Sequence, residues 1–154
     1  MSDMQWDYEQ PFTMEVCIAE KDTDRLGHTN NQVYLNWMEE ISWQHIEAVG
    51  ITWEKQEADG KAMAIRHTEL DYENASYAGE QIIVATWITS CERRMTTSRA
   101  FQIVRVQDQK TLVRGRCDYV CIDLKRGKPA RMPDWYEATL KSMIPESLSA
   151  ASQE

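Results

Sequence analysis

From Val33 onward, apolar residues recur at Val33, Tyr34, Trp37, Met38, Ile41, Ile46 and Val49, close to the i, i+3, i+4, i+7 spacing of a helix with one buried face. Gly50 followed by Ile51 reads as its C-terminal stop. A helix of roughly 19 residues is about 28 Å long. In a chain of 154 residues it has to cross the whole domain, so the rest of the chain must pack on it.

What surrounds the helix reads as strand. Met14, Val16 and Ile18 alternate with Glu15, Cys17 and Ala19, the period of a half-buried strand. After a polar, turn-like stretch from Thr52 to Lys61, broken at Asp59-Gly60, the segment Met63 to Tyr72 reads as a second strand. Tyr77-Ala78-Gly79-Glu80 forms a turn, and Ile82 to Cys91 follows with Ile83, Val84, Trp87 and Ile88. Thr97 to Val106 and Thr111 to Leu124 complete the set, joined across Gln107-Asp108-Gln109-Lys110. Connectors this short allow only antiparallel neighbours. Pro133-Asp134-Trp135 opens a short helix to about Met143. A strand of about nine residues spans roughly 30 Å, the length of the helix. The economical packing is an α+β domain, one curved antiparallel sheet around one central helix. Residues 1–10 are expected to be a flexible N-terminus, 11–146 a single domain and 147–154 a disordered tail.

Charge and composition remove several classes of function. With 17 Lys and Arg against 25 Asp and Glu, the net charge of -8 argues against a general nucleic-acid binder. No run of about 18 apolar residues occurs and the first ten residues are polar, so neither a membrane span nor a signal peptide is expected, and the location expected is cytoplasmic. Cys17, Cys91, Cys117 and Cys121 all fall in strand segments. Cys117 and Cys121 would stand roughly 13 Å apart along one strand, too far to bridge, so reduced thiols are expected. No zinc-ligand spacing occurs and no metal is expected.

Chemistry concentrates just before the long helix. Asp22, Asp24, Gly27, His28, Asn30 and Asn31 put two carboxylates, a glycine, an imidazole and two amides into ten residues. The helix start exposes unpaired N–H groups and the positive end of the dipole, so it can hold a developing negative charge, with Asn30 or Asn31 as N-cap.

Asp24-x-x-Gly27-His28-x-Asn30-Asn31-x-x-Tyr34, with Glu39 inside the helix, resembles the hotdog-fold acyl-thioester hydrolases related to 4-hydroxybenzoyl-CoA thioesterase. His67 to Tyr72 followed by Tyr77-Ala78-Gly79-Glu80, and Asp123-x-x-x-Gly127-Lys128-Pro129-x-Arg131-x-Pro133, extend the resemblance over nearly all of residues 11–143. It implies five antiparallel strands around the helix, and a homodimer or homotetramer with active sites between subunits. It implies hydrolysis of an acyl-CoA thioester to a carboxylic acid and coenzyme A, with no cofactor beyond the coenzyme A of the substrate. Asp24 would act as general base or nucleophile, with His28 and Asn31 beside it, and the backbone amides of Asn31 and Gln32 would hold the oxyanion. Tyr34 and Glu39 would line the substrate site. Coenzyme A is anionic and this chain acidic, so its phosphates need local cations; Arg93-Arg94 at a turn, with Arg94 the binding candidate, and Arg126, Lys128 and Arg131 near the C-terminus qualify.

Each residue also has a structural reading. Asp24 can accept loop N–H bonds, His28 can pack the loop on the helix, Glu39 can be a hydrogen-bonded helix residue, and Tyr34, Trp37, Met38 and Ile41 can be core. An acyl-carrier-protein thioester is the alternative substrate. A non-catalytic acyl-CoA-binding module would be marked by loss of the acidic residue, and Asp24 is retained. The Asn-Pro and His-Phe-Pro motifs of the hydratases on this fold are absent.

Overall fold

The computed structural model describes residues 4–151. In chain order the elements are β1 (Phe12–Cys17), α1 (Asn31–Ala48), α2 (Trp53–Asp59), β2 (Lys61–Tyr72), β3 (Gln81–Glu92), β4 (Thr96–Arg105), β5 (Thr111–Asp123), α3 (Asp134–Ser142) and α4 (Glu146–Ala151). The strands form one antiparallel sheet in the order β1-β3-β4-β5-β2. This is the α+β arrangement that the periodicity predicts. β2 is left as a long free edge.

The apolar stripe of α1 does what its spacing requires. Tyr34, Trp37, Met38 and Ile41 are buried against Ile82 and Val84 of β3, Phe101 and Ile103 of β4, and Leu112 and Val113 of β5. Each such side chain contributes roughly 1.5–3 kcal/mol of burial. Gly115 of β5 leaves room for side chains from both neighbours: an added Cβ would lie 2.8 Å from Leu70 Cδ2 of β2 and 3.1 Å from Met38 Cε of α1. A second cluster, Ile51, Ile88, Cys121, Met132, Tyr136 and Leu140, joins α3 to the other end of the sheet.

Direction matters for the site. The N-terminus of α1 lies at the Tyr72 end of β2, where the Tyr34 hydroxyl meets Ser76 Oγ at 2.6 Å and the Tyr34 and Tyr72 rings stand 6.0 Å apart. Lys61, at the other end of β2, pairs in register with Asp123 at the end of β5. The 12 residues of β2 separate these ends by roughly 40 Å.

Three segments differ from the sequence expectation. Thr52 to Lys61 is not merely a turn: Thr52 Oγ1 accepts from the Lys55 N–H at 3.2 Å, Gly60 closes in the left-handed region at φ 67°, and α2 forms between them. Residues 4–10, part of the segment expected to be flexible, make specific contacts with the sheet. Trp6 and Tyr8 pack edge-on to Trp87 at 6.2 and 5.3 Å, Trp87 Nε1 donates to Glu9 O, and Asp7 takes a two-point hydrogen bond from Arg114 at 2.8 and 3.0 Å. They cover the outer face of β3, a strand too apolar to leave one face to water. The expected tail is helical from Glu146 to Ala151, with Ser147 N–H and Oγ donating to the Glu9 carboxylate at 2.9 Å. Residues 1–3 and 152–154 lie outside the described residues.

Candidate active site

The loop before α1 is shaped by its own acidic residues. Asp24 Oδ1 accepts from the Leu26 N–H at 2.8 Å and the His28 N–H at 3.3 Å, and the Asp24 N–H donates to His28 O at 2.8 Å. Gly27 supplies the positive φ, 80°, that this tight reversal needs. The Asp24 carboxylate is thus exposed and held on one oxygen, the other having no partner among the described residues. Asp22 lies beneath it, its Oδ2 accepting from the Ala19 N–H at 3.0 Å and its carbonyl from the Asn30 N–H at 2.8 Å.

Asn30 is the N-cap, its Oδ1 accepting from the Gln32 N–H at 3.1 Å. The two amides expected to hold an oxyanion, those of Asn31 and Gln32, are placed differently. The Gln32 amide is engaged by the cap, whereas the Asn31 N–H has no acceptor among the described residues. The Asn31 side chain is exposed. His28 is half-buried and stands edge-on to Tyr77 at 5.2 Å, pinning the loop to the segment after β2. Tyr34 is buried in the core: its hydroxyl joins Ser76 Oγ, which meets Thr29 Oγ1 at 2.7 Å, in a buried hydroxyl chain.

A cavity of about 390 Å³ runs under α1 toward α3. Its mouth is framed by Leu35, Glu39 and Trp43 of α1 and by Ile65 and Thr68 of β2; its walls include Met38, Ile88, Phe101 and Leu140. This is the size and character of a small-ligand pocket, though at the low end. Glu39, predicted to contact substrate, stands at the mouth, and Met38 lines the cavity. Asp24, His28 and Asn31 do not line it. The sequence reading missed its polar interior, Arg99, Tyr119, Gln56 and Tyr136. One signal was available: Thr97, Arg99, Phe101 and Ile103 share a face of β4, which places an arginine on the core side.

The predicted phosphate-binding cations divide into two kinds. Arg94 is engaged structurally, donating to Met132 O at 3.1 Å and pairing with Asp134 and Glu137, so it ties the β3–β4 turn to α3. Arg93 and Arg94 both adopt positive φ, 55° and 57°, to close that turn. Arg126, Lys128 and Arg131 are exposed and form no ion pair among the described residues. They lie at the Lys61 end of the sheet, away from the start of α1 in the same chain.

Among the described residues no helix is long and apolar enough to cross a membrane, and no three His, Cys, Asp or Glu residues group as metal ligands. The four cysteines are free thiols, and burial raises the thiol pKa of Cys91 to about 11.

Comparison with known proteins agrees with this architecture. YneP of Bacillus subtilis (strain 168), described as a "Putative acyl-CoA thioesterase", is 24% identical over 132 residues, covering 83% of this chain and 94% of that protein. Slr0204 of Synechocystis, a 1,4-dihydroxy-2-naphthoyl-CoA thioesterase, superposes with a TM-score of 0.77 at 19% identity, over 87% of this chain and 98% of that one. SAV2348 of Staphylococcus aureus, solved in complex with CoA, gives 0.80 at 11% identity over 92% and 90%. At these identities the solved structures speak for the fold, the hotdog arrangement of one long helix and five strands. The sequence model of the thioesterase-like superfamily matches residues 19–140, most of the chain, and the protein belongs to that superfamily of thioester hydrolases.

Proposed function

We propose that the chain hydrolyses acyl-CoA thioesters, taking the acyl group into the cavity under α1 and leaving coenzyme A outside it. The observation that carries this reading is a largely apolar cavity of about 390 Å³ with a carboxylate at its mouth, in a member of a thioesterase superfamily. Coenzyme A is too large for such a space, so the thioester must lie at the mouth. Water adds to the carbonyl carbon, a carboxylate takes its proton, and the C–S bond breaks to release the thiol. The Asn31 N–H at the positive end of α1 is the free donor for the oxyanion.

The reading requires a dimer. Within one chain the Asp24 loop and the unpaired cations lie at opposite ends of the sheet. Pairing β2 with its two-fold mate brings opposite ends together, so that the partner's Asp24 approaches this chain's pocket and Arg126, Lys128 and Arg131. Leu35, Trp43 and Ile65, 43%, 47% and 58% exposed, form an apolar face along α1 and β2 for that contact.

Asp24, with one carboxylate oxygen free, is the proposed base. Glu39 is the second reading, because it is the carboxylate that lines the pocket within a single chain. A thiol-release assay over a panel of acyl-CoA and acyl-carrier-protein thioesters tests the activity. In it, Asp24→Ala lowers kcat by roughly 10²- to 10⁴-fold, Asp22→Ala has a much smaller effect, and Glu39→Gln changes KM more than kcat. A larger kcat loss in Glu39→Gln than in Asp24→Ala transfers the base to Glu39; no turnover of any thioester refutes the activity.

A further inference from the structure

The cavity holds a buried positive charge that no carboxylate among the described residues answers. Arg99 is 2% exposed, rises from β4 beside Phe101 and lines the cavity. Its Nη1 donates to His45 Nδ1 at 2.9 Å and to Thr86 Oγ1 at 3.1 Å, whereas its buried Nε–H has no hydrogen-bond partner among the described residues. Among the described residues no Asp or Glu pairs with it; the Tyr119 hydroxyl lies within hydrogen-bonding reach of the guanidinium, and Cys117 and Tyr136 add only a thiol and a phenol near its charge. His45 accepts one N–H but balances no charge. Burial first, then the Arg99 charge, hold its imidazole neutral, with a pKa near 3.

A lone buried cation is costly because its lost hydration is not replaced, and an orphaned N–H adds to that cost. Such an arrangement persists in a folded protein when something else supplies the missing partner. Neither the base nor the helix amide of the hydrolytic reading uses Arg99. A guanidinium edge presents parallel N–H donors matched to a carboxylate, while Met38, Ile88, Phe101 and Leu140, which line the same cavity, give it apolar walls suited to a carbon chain.

Resting on the reading of this cavity as the acyl pocket, we propose that Arg99 receives a carboxylate at the far end of the acyl group, so that the substrates are ω-carboxyacyl thioesters. The acid released would then be a dicarboxylate.

The test compares kcat/KM for pairs of acyl-CoA thioesters of equal chain length, one ending in methyl and one in carboxylate. At the best length the wild type prefers the carboxylate by roughly 10- to 100-fold, the worth of hydrogen bonds to a charged group. Arg99→Met brings that ratio to unity or below, and Arg99→Lys retains part of it. Equal or better use of the methyl-ended partner by the wild type at every length overturns the proposal. Should Arg99→Met fail to fold, the wild-type panel and Arg99→Lys still decide. Calorimetry with free dicarboxylates and monocarboxylates of matched length separates this site from the hydrolytic reading. Arg99-dependent dicarboxylate binding without turnover of any thioester supports the site and refutes the hydrolase; hydrolysis of methyl-ended thioesters without such binding does the reverse.

Discussion

His45 should make this protein acid-sensitive well above the range in which carboxylates titrate. The imidazole is 8% exposed, stacked on Phe12 at 4.6 Å, with Nδ1 accepting from the Arg99 guanidinium. Burial, and then repulsion by that guanidinium, lower its pKa from 6.5 to about 3. In the unfolded chain it binds a proton below about pH 6.5, and in the folded chain only near 3. Between those values the unfolded state carries the extra proton. The stability His45 contributes is therefore intact above 6.5 and lost as pH falls toward 3. At pH 5 the loss is about 2 kcal/mol, 1.5 units below the unfolded pKa at 1.36 kcal/mol per unit. Asp118 and Asp123, whose pKa values are depressed below 3.8, begin to contribute only at lower pH. Urea denaturation at pH 7.5 and 5.0, at fixed protein concentration, reads the difference. His45→Asn keeps an acceptor near the Nδ1 position but has no titrating ring. It should be less stable at both pH values, yet show a fall between them smaller by about 2 kcal/mol. Equal falls in the two proteins would refute a neutral, buried His45.

Other expectations follow from the same geometry. Reversing the charge of Arg126, Lys128 or Arg131 should raise KM for acyl-CoA with little change in kcat, an effect that shrinks with added salt; Arg94→Ala should instead lower the melting temperature, because its guanidinium holds α3. Gly115→Ala should destabilise by about 1–2 kcal/mol in urea titration, because the new methyl displaces Leu70 and Met38; unchanged stability would mean that α1 does not approach the sheet so closely. A solution mass measured at micromolar protein should give a dimer or tetramer, and Ile65→Asp should shift it toward monomer with loss of thioester hydrolysis.

The long helix and the strands were legible because their signals are local. The stripe from Tyr34 to Ile41 and the β-branched run from Ile82 to Ile88 face one core in the structure, and a periodic pattern needs no knowledge of its partner. The Asp24 loop was legible for the same reason, since its hydrogen bonds run between residues close in sequence. The order β1-β3-β4-β5-β2, which leaves β2 free, came from pairings between distant segments. So did the cover of Trp6 and Tyr8 on Trp87, in an arm whose polar composition suggested nothing to pack. The site divides along the same line. Residue types named Asp24, Glu39 and the cations, but Arg94 is held by Asp134 on another element, and the Gln32 amide is closed by the side chain of Asn30. Arg99 carries the strongest lesson. Its position in a strand put it on the core face, but only the tertiary packing decided that His45 and Thr86 would meet it while no carboxylate among the described residues did. The charge balance of a buried group depends on which distant segments the fold brings within a few ångströms of it.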